Sequence, residues 1–131
     1  MIQNINFEEA ILNDEEKESI SKSGTIARYH KGEIIFSEGD AADRIYYIEK
    51  GFVKIFRIDS YGKKVTVGSI RSPGELMGLA EALFKGDRTC FASAMNDVTI
   101  VVIRDAAFKD LLINHPSIAI KVATSASFSN S

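Results

Sequence analysis

The chain has 131 residues, 45% of them hydrophobic and 26% charged, which suits one globular domain and excludes a chain that is disordered throughout. Its 16 basic and 18 acidic residues give a formal net charge of −2, so no overall positive field attracts it to nucleic acid. With one cysteine, Cys90, it can form neither an internal disulfide nor a zinc site built from cysteines. We therefore expect a single domain that does not bind DNA on its own.

The N-terminus lacks the basic and apolar regions of a signal peptide. Uninterrupted apolar runs are short, for example residues 100–103, whereas a membrane-spanning helix needs about 20 apolar residues. These features predict a cytoplasmic protein that has no membrane partner.

Two short helices are predicted between residues 6 and 22, where apolar residues are spaced among acids. Asn13 followed by Asp14, Glu15 and Glu16 is typical of a helix start, and these acids are expected to form a solvated first turn. From residue 25 onward, glycine-containing turns recur about every ten residues between β-branched and aromatic segments. The predicted strands are 25–30, 34–36, 45–49, 52–58, 64–70, 90–94 and 98–103.

The last segment predicts two further helices. Asp105 is placed to cap the first, which runs to about Asn114, and Pro116 begins the second. Residues 123–131 are rich in serine, and the last of them are expected to fray. Many short strands with regular turns indicate a mostly β fold, an antiparallel sandwich or barrel.

Residues 73–89 are the most unusual segment, because they predict a strand, a glycine turn, a short helix and an Arg-Thr pair before the next strand. Glycine at such a junction lets backbone N–H groups approach an anion, and an arginine and a hydroxyl facing the same point would complete a phosphate site. The candidate ligand-binding residues are Gly78, Leu79, Ala80, Arg88 and Thr89. On spacing alone, the alternative is an arginine on the surface that pairs with Asp87 or Glu81.

No other residues form a catalytic or metal-binding pattern. His30 and His115 lack the spacing of metal ligands and are expected to be exposed. Cys90 is expected to be a small core residue rather than a redox sensor. Since no nucleophile has a suitably spaced histidine, the chain is predicted not to be an enzyme.

Three features occur in a specific order and spacing: YHKGEIIFSEGD at 29–40, IYYIEKGFVKI at 45–55, and Arg88-Thr89 before a strand. Together they resemble the cyclic-nucleotide-binding domain of the Crp/Fnr (catabolite activator) family of bacterial transcription regulators, over about residues 29–122. The resemblance implies an antiparallel double-stranded β-helix, a jelly-roll-like β-roll, with flanking N- and C-terminal helices. Residues 78–89 would be its phosphate-binding cassette.

The resemblance also implies a domain organisation and a set of partners. We expect a single sensor domain over 1–131, with N-terminal helices in 1–24, the β-roll in 25–103 and C-terminal helices in 104–131. The expected effector is a cyclic nucleotide (cAMP or cGMP) or another small anion. DNA contact is expected only through a helix-turn-helix domain absent from these residues. Homodimerisation is expected to be weak, and stronger only with a longer C-terminal helix.

One position departs from the family pattern. In nucleotide-binding members, the glycine matching Gly78 is followed by a glutamate that binds the ribose hydroxyl, and here that position is Leu79. Two functions therefore stay open. One is an effector-binding sensory domain; the other is a β-roll interaction or dimerisation module whose cassette is vestigial.

Overall fold

The computed structural model describes residues 11–128, and its side chains through residue 124. The helices of this part are α1 (Asp14–Lys22), α2 (Leu79–Leu83), α3 (Asp105–Asn114) and α4 (Pro116–Phe128). The strands are β1 (Thr25–Tyr29), β2 (Ile34–Phe36), β3 (Arg44–Lys50), β4 (Val53–Ile58), β5 (Lys64–Thr66), β6 (Leu76–Met77), β7 (Phe91–Ala94) and β8 (Val98–Arg104). Of the two helices predicted between 6 and 22, the first falls largely outside the described residues.

The strands form two antiparallel four-stranded sheets, in the orders β1-β8-β3-β6 and β2-β7-β4-β5. Most consecutive strands alternate between the sheets, as β3 and β4 do, because the chain winds around the roll. The exception is the pair β4 and β5, which forms an antiparallel hairpin within the second sheet. The helices α1, α2 and α3 pack against strands of the first sheet. This architecture confirms the predicted mostly β fold with flanking helices.

The two central strands of the first sheet, β3 and β8, are buried on both faces, which explains their nearly continuous apolar runs. Ile48 and Ile100 face the second sheet and belong to the core between the sheets. Their neighbours Tyr47 and Val101 belong to a second core, between the first sheet and the helices. The side chains of a strand alternate between its faces, so each of these strands contributes to both cores.

Helix α1 begins where the sequence predicts a restart, and a capping box fixes its first turn. The Asn13 side chain accepts from the Glu16 N–H at 2.8 Å, and Glu16 Oε1 accepts from the Asn13 N–H at 2.9 Å. The expectation of a fully solvated helix start is wrong for Glu16, which is buried, although Asp14 and Glu15 are exposed. The capping box directs the Glu16 side chain back along the helix, toward α4.

Most strand ends lie within one residue of the prediction, but the end of β5 and the cap of α3 differ for physical reasons. Strand β5 ends at Thr66 rather than at residue 70, because Gly68 has φ +67° and takes the chain out of the extended conformation. Helix α3 is capped at Arg104, and Asp105 lies in the first turn, where its carboxylate accepts from the Ala106 N–H. Helix α4 continues through the serine-rich segment to Phe128.

Candidate functional site

The backbone holds both ends of the predicted cassette firmly. Strand β6 ends at Met77, and Gly78 then takes a left-handed conformation with φ +74° as the N-cap of α2. At the other end, the Arg88 N–H donates to Asp40 O and the Gly39 N–H donates to Arg88 O, each at 2.8 Å. The cassette therefore starts from the first sheet and ends anchored to the loop between β2 and β3.

The Arg88 side chain points into the protein rather than into solvent, with 1% of its surface exposed. Its Nη1 donates to Gly78 O at 2.8 Å, and its Nη2 donates to Arg44 O. Nη1 also lies 3.7 Å from Glu81 Oε1. Two carbonyl oxygens and one carboxylate thus surround a charge that would otherwise be costly to bury.

Two aromatic rings of the inter-sheet core lie beneath the same guanidinium. The Arg88 Cζ is 4.7 Å from the centre of the Phe36 ring and 5.3 Å from that of Tyr46. The planar guanidinium of arginine stacks on such rings, and its positive charge is attracted to the negative ring faces. The ammonium group of lysine cannot stack in this way. The guanidinium is therefore fixed in position before any ligand arrives.

Gly78 is required for two independent reasons. Its φ of +74° is unfavourable for a residue with a side chain. A Cβ at this position would lie 2.1 Å from Arg88 Nη1 and 2.8 Å from Cζ. The glycine thus allows the arginine to lie directly against the turn.

We expect Gly78→Ala to lower the free energy of unfolding by about 1–3 kcal/mol more than Gly74→Ala does. Gly74 is a matched control, since it has φ +94° but no atom within 4 Å of the point that a Cβ would occupy. Urea unfolding gives the free energy of unfolding of both variants, and the difference between them reports the clash with Arg88, because both share the backbone strain. Equal losses of stability would mean that the Arg88 side chain can move away from residue 78 without destabilising the protein.

The other predicted site residues, at positions 79, 80 and 89, differ in their exposure to solvent. Leu79 is half-buried and packs against the core between the first sheet and the helices. Ala80 and Thr89 are exposed, and Thr89 Oγ1 lies 3.7 Å from Cys90 Sγ. The structure thus brings Gly78 and Arg88 into direct contact, with Leu79 directed toward the helices.

A polar cluster between α1 and α4 is absent from the sequence prediction. Glu16 Oε1 accepts from Lys121 Nζ at 2.6 Å, and Glu16 Oε2 accepts from Ser117 Oγ at 2.6 Å. Burial alone would raise the pKa of Glu16, but the hydrogen bonds from Lys121, Ser117 and the Asn13 backbone outweigh burial and lower its pKa from 4.5 to about 2. The pattern Asn13-x-x-Glu16 signals the capping box, but nothing local signals the partners on α4.

The remaining reactive side chains lie outside the cassette contact between Gly78 and Arg88. His30 and His115 are exposed, as predicted. Cys90 is half-buried and packs against the inter-sheet core rather than lying within it. Among residues 11–128, no group of three or more His, Cys, Asp or Glu side chains is arranged to hold a metal ion. None of the helices in the same part is long and apolar enough to cross a membrane.

Comparison with known proteins assigns this fold to a family. Residues 26–115 match the family described as the cyclic nucleotide-binding domain, and this match contains the whole cassette. The chain belongs to this family. The resemblance noted from the sequence is therefore confirmed, and the β-roll is that of a cyclic nucleotide-binding domain of the Crp/Fnr type.

Individual relatives agree with this assignment. The domain is 30% identical over 95 residues to the "Cyclic AMP receptor protein" of Thermus thermophilus, covering 72% of this chain and 44% of the relative. It is also 30% identical over 96 residues to the "Global nitrogen regulator" of Synechococcus elongatus, covering 72% and 43%. The crystal structure of the Thermus thermophilus catabolite activator protein superposes with a TM-score of 0.78 and 27% identity, over 88% of this chain and 54% of that one. The chain thus spans about half the length of these relatives, or less.

Proposed function

We propose that this cyclic nucleotide-binding domain binds a small anionic effector, with cAMP or cGMP as the first candidates, in the cassette that contains Gly78, Leu79, Ala80, Arg88 and Thr89. The observation that carries the proposal is the fixed, desolvated guanidinium of Arg88 against the Gly78 turn. A charge with little water around it interacts more strongly with an anion than a charge on the surface does. Backbone N–H groups at Leu79 and Ala80 and the Thr89 hydroxyl would complete the contacts.

The proposal includes a path from the cassette to the C-terminal helices. Leu79 packs against the core that also contains Ile118 and Val122 of α4. A movement of the α2 start on ligand binding would therefore change the packing under α4. Binding would shift an equilibrium between two positions of that helix rather than drive a chemical reaction.

We further propose that the domain is the non-enzymatic sensory part of a cytoplasmic regulator, which contacts DNA only through a separate domain. Weak homodimerisation of these residues remains part of the proposal. Of the three large aliphatic residues at the start of α4, Ile118 and Val122 are buried within this chain, and Ile120 is exposed. Few apolar side chains thus remain on this part of α4 for a partner helix.

Titration with cAMP and cGMP tests the proposal directly. We expect Arg88→Lys to weaken effector binding by about 10- to 100-fold, because lysine cannot make the bidentate, stacked contact of a guanidinium. Isothermal calorimetry of wild type, Arg88→Lys and the exposed β1 control Arg28→Lys provides the measurement, with circular dichroism as the check on folding. Equal affinity in wild type and Arg88→Lys would place the ligand elsewhere.

A second candidate function is a β-roll interaction module whose cassette no longer binds a ligand. It is favoured by one observation: the guanidinium of Arg88 already has internal partners in Gly78 O, Arg44 O and Glu81. In that case Arg88 only stabilises the loop, and wild type binds neither nucleotide at millimolar concentration. The same titration therefore distinguishes the two functions.

A further inference from the structure

One carboxylate already lies next to the arginine of the cassette. Glu81 Oε1 is 3.7 Å from Arg88 Nη1, whereas Asp87, the other acid of the cassette, lies in an exposed bridge to Ala41. Glu81 is in α2, whose first turn follows the Gly78 cap. The ion pair thus spans the same turn that an effector would have to approach.

The two partners differ in their freedom to move. Arg88 is 1% exposed and is held by two carbonyls and two rings, whereas the Glu81 side chain is 26% exposed. Helix α2 has only five residues and ends at Leu83, before the exposed C-cap residue Phe84. When another anion reaches Arg88, the carboxylate can therefore turn to water, while the guanidinium stays in place.

We propose that Glu81 is an internal competitor for Arg88, a carboxylate that occupies the arginine until the acid group of an effector displaces it. The inference rests on the proposed function and concerns the regulation of the same site. Exchange of one carboxylate for one singly charged phosphate leaves the charge beside Arg88 unchanged, so the buried guanidinium keeps a counter-ion throughout. Glu81 would then set the effector concentration at which the cassette fills.

Removal of the charge at Glu81 should strengthen binding. We expect Glu81→Gln to raise the affinity for cAMP or cGMP about tenfold, because the ligand no longer competes with the Glu81 carboxylate for Arg88. Asp87→Asn is the matched control. Asp87 is adjacent to Arg88 in sequence and its side chain is exposed, so this variant also removes one negative charge near Arg88. Glu81→Asp keeps the charge on a shorter side chain and should show an intermediate affinity.

Calorimetric titration of all four proteins at one ionic strength distinguishes the outcomes. A gain in Glu81→Gln that exceeds that in Asp87→Asn, or binding that appears only in Glu81→Gln, supports the competitor role. Equal affinity in wild type and Glu81→Gln, or equal gains in the two neutral variants, overturns it and leaves the proposed function intact. If Glu81→Gln does not fold, an affinity of Glu81→Asp equal to that of wild type overturns it. No binding in any folded protein overturns both proposals.

Discussion

Replacing Glu16 with glutamine should lower the free energy of unfolding at pH 7 by about 1–3 kcal/mol. The carboxylate is 8% exposed and accepts from Lys121 Nζ, Ser117 Oγ and the Asn13 N–H. Glutamine fills the same volume but offers no charge to Lys121, which is 19% exposed and is left with a nearly buried ammonium. Because Lys121 is partly exposed, solvent screens part of its attraction to Glu16, and the expected loss of unfolding free energy stays in this range.

The loss should depend on pH in a defined direction. The pKa of Glu16 falls from 4.5 to about 2 on folding, so the folded protein binds the proton less tightly than the unfolded chain does. The stabilisation by the carboxylate is thus present above the unfolded pKa and disappears as the pH falls through the folded one. Urea unfolding of wild type and Glu16→Gln at pH 7, 5, 3 and 2 should therefore show a difference that shrinks below pH 4.5.

Glu15→Gln provides the control for this series. Glu15 lies in the same acidic first turn of α1 but is exposed. Its neutralisation removes only a favourable interaction with the helix dipole, about 0.3–1 kcal/mol. Equal losses of unfolding free energy in Glu15→Gln and Glu16→Gln, or a loss in Glu16→Gln that does not change with pH, would contradict this prediction. The contacts of Glu16 with Lys121 and Ser117 would then contribute little to stability.

The sequence predicts the order and approximate bounds of the helices and strands well, because the residues that mark their ends are local signals. Glycine-containing turns mark the ends of the strands, and Pro116 marks the start of α4. The prediction for strand β5 is too long because its residues favour extended structure, whereas the left-handed Gly68 takes the chain out of the strand. A glycine in a strand-like segment is compatible with both outcomes.

The parts that could not be predicted depend on contacts between residues far apart in the sequence. The local pattern marks Glu16 as part of a capping box, but its burial depends on contacts with α4, among them Lys121, 105 positions away. The direction of Arg88 depends likewise on Arg44 O, 44 positions away, and on Gly78 O. Every residue has a backbone carbonyl, so no residue type in the sequence marks these acceptors.

The second large expected effect concerns Leu79, the position at which the family pattern has a glutamate for the ribose hydroxyl. Leu79 packs against the core beneath α4 and cannot accept a hydrogen bond. A nucleotide in the family's binding pose would therefore leave its hydroxyl without a partner, at a cost of about 1–3 kcal/mol. We expect wild type to bind cAMP weakly.

Leu79→Glu should raise the affinity for cAMP and cGMP by about 10- to 100-fold, because the new carboxylate accepts the hydrogen bond of the ribose hydroxyl. Leu79→Gln is the control, because glutamine has the shape of glutamate but no charge. Both variants lose the apolar packing of Leu79, so the difference between them reports the effect of the carboxylate charge. Circular dichroism and urea unfolding show whether each variant remains folded, and calorimetry gives the two affinities. Sub-micromolar binding by wild type, or no gain in a folded Leu79→Glu protein, would contradict the assignment of Leu79 to the ribose site. The effector would then be an anion recognised through Arg88 without a ribose contact at this position.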